Sequence, residues 1–105
     1  MPGRSAARKR VTVTADHLER YLALTGRALK AVKLAPPARS HHRRLAEDFL
    51  EMAKAYEADA RHFRDKGDFV NALSCINYAH GWLDAGARLG LFDVGGDDQL
   101  FTLSE

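Results

Sequence analysis

The sequence predicts an all-α fold, a three-helix antiparallel bundle with a disordered basic N-terminal arm and a short apolar C-terminal tail. In two long segments apolar residues recur at alternating spacings of three and four, the period of one helix face. Gly67 followed by Asp68 breaks the pattern tightly enough to make the last two helices a hairpin. A Pro36–Pro37 step marks the other corner, because proline supplies no amide and restricts the residue before it.

With 105 residues the chain holds one domain and one core. Its expected organisation is an arm over 1–13, a bundle over 14–92 and a tail over 93–105 packed on the bundle or on a partner. The helices are expected at about 15–33, 41–66 and 69–89. Leu18, Leu22, Thr25, Leu29 and Val32 form the apolar row of the first, with Thr14 or Asp16 as its cap and Asp16 and Glu19 at capping-box spacing. Lys30 and Lys33 suit its carbonyl end. Ser40 is a plausible cap for the second helix, whose row of Leu45, Phe49, Met52, Tyr56 and Phe63 is the strongest periodic signal in the chain.

Gly67 can close that helix in the left-handed conformation, and the Asp68 side chain can accept the first free amides of the next. In the third helix Phe69, Leu73, Ile76 and Leu83 form a large apolar row beside a narrow strip of Ala72, Ala79 and Gly86. Cys75, Trp82 and Leu89 form another row next to the strip. Apolar residues surround so much of this helix that it is expected at the centre of the bundle, with the small strip admitting a neighbouring backbone. The segment after Gly90, LFDVGGDDQLFTLSE, is too apolar for an idle tail. It either folds back over the bundle or meets a partner.

A single cysteine, Cys75, rules out an intrachain disulfide and a thiolate zinc site. The chain starts MPGRSAARKR, which leads into VTVTADHLER and not into an apolar signal core, and no run is long enough to span a bilayer. No membrane association and a cytoplasmic location are expected. The formal charge of +2 conceals an asymmetry: residues 1–44 carry 11 Lys and Arg against 2 acids, and residues 45–105 carry 5 against 12. The halves can attract one another, or the basic half can attract phosphate or an acidic partner.

Two groups of polar residues are candidate sites. Tyr56, Asp59, His62, Asn77, His80, Asp84 and Arg88 could form a polar seam between the second and third helices, since His80, Asp84 and Arg88 follow at i,i+4 spacing on one face. Antiparallel pairing back from Gly67 places Asp59 nearer Cys75, Ile76 or Asn77 than Asp84, which argues against two-carboxylate hydrolysis. A hydrogen-bonded network fixing helix register is the first reading of this seam. A His80 base polarised by Asp84 is a weaker one, because no nucleophile accompanies it. No convergent ligand set defines a metal, and no cofactor or catalytic residue is assigned. Arg20, Arg27, Lys30, Lys33, Arg43 and Arg44 form the second group, a basic corner suited to an anion or nucleic acid.

The stretches Tyr56–Ala72 and Tyr78–Gly90 resemble a family of small archaeal proteins catalogued only as a domain of unknown function and thought to form three-helix bundles. The likeness spans roughly residues 14–92 and is carried by Asp-Ala-x-His-Phe at Asp59–Phe63, Lys-Gly-Asp at Lys66–Asp68 and Tyr-Ala-x-Gly-x-Leu-Asp-Ala-Gly at Tyr78–Gly86. It implies the fold and carries no catalytic role onto these positions. The shape also resembles helical nucleotide-binding domains of toxin ribonucleases, whose cutting members carry Arg, four residues, then His. Here Thr12, Pro36, Pro37, Glu57 and Cys75 stand five before the histidines, so that motif is missing.

The resulting expectation is a noncatalytic helical protein-interaction or oligomerisation module, self-associating or bound to another protein through a patch including Leu89, Leu91, Phe92 and the tail. RNA or nucleotide binding at the basic corner, or a small enzyme using Asp59, His80 and Asp84, are the alternatives. Whether the domain is an enzyme stays open at the level of sequence.

Overall fold

Side-chain caps start each of three helices in the computed structural model, which describes residues 12–95. The elements in chain order are α1 (Ala15–Ala31), β1 (Lys33–Leu34), α2 (His41–Asp65), α3 (Phe69–Arg88) and β2 (Phe92–Asp93). The expected arm, and the tail beyond Gly95, lie outside the described residues. Thr14 caps α1 by accepting the His17 amide at 3.1 Å, so Asp16 is free to face the positive helix end from the first turn. Glu19 does not complete a capping box; it reaches Arg64 of α2 at 3.3 Å. Ser40 accepts the Arg43 amide at 3.0 Å and Asp68 the Asn71 amide at 3.2 Å.

Glycines close α2 and α3 in the same way. At Gly67, φ is +80°, the Asp68 amide donates to the Phe63 carbonyl and the Gly67 amide to that of Arg64. At Gly90, φ is +77°, with Leu91 donating to Gly86 and Gly90 to Ala87. Both are Schellman closures, which satisfy carbonyls that the helix itself leaves bare.

The second closure corrects the expectation for the end of the bundle. It turns the chain back so that Leu91 and Phe92 enter the core, 2% and 4% exposed, and β2 pairs antiparallel with β1, Leu34 opposite Phe92. An exposed patch of Leu89, Leu91 and Phe92 is therefore not formed; Leu89 alone of the three is exposed. The same pairing, with the Ala35 amide donating to the Leu91 carbonyl, draws the chain out of α1 after Ala31. Lys33 thus lies in a strand, and α1 ends well before the prolines.

Helix α3 packs against both α1 and α2, which touch each other less. Between α2 and α3 the buried residues are small: Ala46, Ala53 and Ala60 at seven-residue spacing on α2, and Ala72, Ala79 and Gly86 on α3. Gly86 is needed because a β-carbon there would collide with the edge of the Phe92 ring. Leu18, Leu22 and Ala28 of α1 complete the core against Ile76 and Leu83.

This arrangement displaces the strongest apolar row of the sequence. Leu45, Phe49, Tyr56 and Phe63 lie beside the alanine stripe and are only half-buried, while Met52 is 36% exposed. The sequence carries the helix period but not the buried face, because alanine carries too little hydrophobicity to mark a stripe against larger neighbours.

Candidate functional site

The polar residues proposed as one seam occupy separate places. Asp59, His62, Asn77 and Arg88 are exposed. Tyr56 is half-buried and stands edge-on to Tyr78, ring centroids 4.6 Å apart. Together with Ser74, Cys75 and Asn77 these tyrosines line a shallow recess. His80 and Asp84 are half-buried, and the His80 ring faces Thr25 of α1.

That contact has a partner the seam lacked. Thr25 of α1, 1% exposed, has its hydroxyl 3.0 Å from His80 Nδ1, and His80 Nε2 lies 3.7 Å from Asp84 Oδ1. In the tautomer protonated at Nε2, Nδ1 accepts the Thr25 proton and Nε2–H faces the carboxylate, so one ring joins two helices. The order hydroxyl, imidazole, carboxylate is that of a nucleophile relay, but a nucleophile has to be reached by substrate. Thr25 is sealed between the two halves of the core. The signal for it was present in the sequence: a threonine inside the apolar row of α1 requires a hydrogen-bond partner when buried.

Cys75 shows no sign of activation. Burial pushes its thiol above the ordinary value, and the nearby charges of Asp59 and then Asp68 push it further the same way. Among the described residues no group of three or more His, Cys, Asp or Glu is placed to hold a metal ion.

The basic corner also divides. Arg43 is committed to structure, donating to the Pro36 carbonyl at 3.0 Å and lying 3.7 Å from Glu47. Arg44 is exposed and Lys33 is in β1. Arg20 sits 3.4 Å from His17 Nδ1 and, with Arg27, borders a recess on the outer side of α1. Arg27 and Lys30 line a groove between α1 and α2 whose far wall carries Lys54 and Arg61, neither of which belongs to the basic corner expected from the sequence. Glu57 is the one acid lining this groove, and it pairs with Arg61 at 3.1 Å.

Opposite α1, the α2–α3 hairpin presents an aromatic face. Phe49 meets Trp82 edge-on at 4.9 Å, and Tyr56 meets Tyr78 in the same manner. Phe49, Tyr78, Gly81, Trp82, Ala85 and Leu89 line an open recess there of about 380 Å³. Tyr78 and Leu89 are 56% and 65% exposed. No α1 residue lines it, because α1 occupies the other side of α3.

Fold and site together define a small three-helix-bundle domain with a basic groove on one side and an apolar, aromatic recess on another. The chain belongs to the family described as "Protein of unknown function (DUF357)", whose model matches residues 20–92. No curated protein matches the chain significantly. No solved structure matches it significantly either. No helix among the described residues is long and apolar enough to cross a membrane.

Proposed function

We propose that the chain is a noncatalytic helical interaction module that receives a helix of a protein partner on the outward face of α2 and α3. The carrying observation is the position of the large apolar row: Phe49, Met52 and Tyr56, with Tyr78, Trp82 and Leu89, flank the alanine stripe on the side away from α1. A chain this short has little apolar surface to spare, and contiguous exposed apolar surface marks a contact site. Amphipathic helices dock on such apolar surfaces through side chains at i, i+3 and i+4.

The test compares the native chain with Gly81→Glu, which puts a charge in the recess. Self-association by sedimentation, or capture of a protein from lysate, should be present in the native chain and lost in the variant. A native chain that shows neither, while folded, would sink the reading.

The α1–α2 groove favours a second reading, an anionic ligand such as RNA or a nucleotide. Four cations, Arg27, Lys30, Lys54 and Arg61, border it with Glu57 as the one acid. Binding of a short single-stranded RNA at low salt should then fall with rising salt and weaken in Lys54→Glu. Equal binding by the native chain and this variant would remove the groove from consideration.

A further inference from the structure

We infer that the occupant of the α2–α3 face is a second copy of this chain, whose α3 crosses the first antiparallel about a two-fold axis between Gly81 and Trp82. The inference rests on the docking reading above and names its partner. The outward stripe of α3 is Asn71, Ser74, Tyr78, Gly81, Ala85 and Leu89, all exposed and none charged. From Ser74 to Leu89 it is about 22 Å long. By contrast, the exposed surface of α2 is rich in charge, with Glu47, Asp48, Glu51 and Lys54 among its residues.

Gly81 packs against no neighbour among the described residues. A glycine inside a helix costs about 1 kcal/mol relative to alanine, and among the described residues no heavy atom beyond the adjoining helix backbone lies within 4 Å of where its β-carbon would be. The other two helical glycines are occupied, Gly26 by Arg61 and Gly86 by Phe92. An open glycine in the middle of an uncharged stripe admits the backbone of another helix.

The stripe is also complementary to itself. About an axis between Gly81 and Trp82, Ser74 falls opposite Leu89 of the second copy and Tyr78 opposite Ala85, with the two Gly81 residues side by side at the crossing. Tyr78 and Leu89, the large side chains of the stripe, each meet a small one, whereas a parallel pairing in register would set Tyr78 on Tyr78. A two-fold contact requires this property, because the same surface serves both sides; a helix from an unrelated protein does not.

Sedimentation equilibrium of the full chain should give a dimer that Gly81→Glu and Ala85→Glu each weaken at least about tenfold. Both sites are exposed, and helical circular dichroism confirms that each variant folds. In a Cys75→Ser background, Gly81→Cys should cross-link to its own symmetry mate under mild oxidation. A native chain that is monomeric at the highest concentration reached overturns the inference, as does a dimer that neither charged variant weakens. A monomer that still captures another protein in a Gly81-dependent manner overturns the second copy but leaves the docking reading standing; loss of both removes both.

Discussion

Gly86 and Gly81 lie five residues apart in one helix and illustrate how differently the same residue type can be used. The Phe92 ring covers Gly86, so Gly86→Ala should overpack that point and destabilise the fold by about 1–3 kcal/mol in denaturant titration. Thr25 works through a hydrogen bond: Thr25→Val keeps the shape but leaves His80 Nδ1 without the hydroxyl, at an expected cost of about 1 kcal/mol. A change no larger than experimental error would show that the Thr25–His80 bond contributes nothing to joining α1 to α3. Cys75 gives the pH-dependent case. Its thiol is held neutral above the ordinary value, chiefly by burial, so alkylation should be slower than in the unfolded chain at mildly alkaline pH and accelerate only at higher pH. Because the folded value is raised, thiol ionisation favours the unfolded chain, and this contribution to stability declines as pH rises through the unfolded value.

At the scale of elements, much of the fold was legible because caps and closures are local chemistry. Ser40, Gly67 and Asp68 do what their residue types imply, with Gly67 at φ +80°. Gly67→Ala should cost about 1 kcal/mol, since alanine strains in that conformation. The buried side of α2 was not legible, for a packing reason. A row of Leu, Phe, Met and Tyr dominates any periodicity, yet α2 and α3 come together through Ala46, Ala53 and Ala60. Ala53→Leu should therefore destabilise the bundle by about 1–3 kcal/mol through overpacking, whereas Met52→Ala, one residue away on the open side, should change thermal stability little. The polar seam was misjudged for a related reason. Spacing placed His80 and Asp84 on one face but could not say which neighbour that face meets; α3 contacts two helices, and the His80 ring faces Thr25 of α1. The end of α1 and the burial of Leu91 and Phe92 depend on a pairing between segments far apart in sequence, β1 with β2, which no local pattern announces.

For the whole molecule, the charge asymmetry of the chain is partly spent on its own contacts. Glu19 of the basic half meets Arg64 of the acidic half, and Arg43 lies beside Glu47. Arg27 and Lys30, together with Lys54 and Arg61, leave a positive groove on the α1–α2 side, while the α2–α3 side is apolar. The two sides are thus chemically distinct, and the apolar one carries the central claim that it is covered by a docked helix. Trp82, the single tryptophan, lines that recess and reports on it directly. Its emission should shift to the blue and its quenching by iodide should fall as the native chain is concentrated, with neither change in Gly81→Glu. Emission and quenching that stay the same at every concentration, and the same in both proteins, would contradict the closing of this face by a second copy.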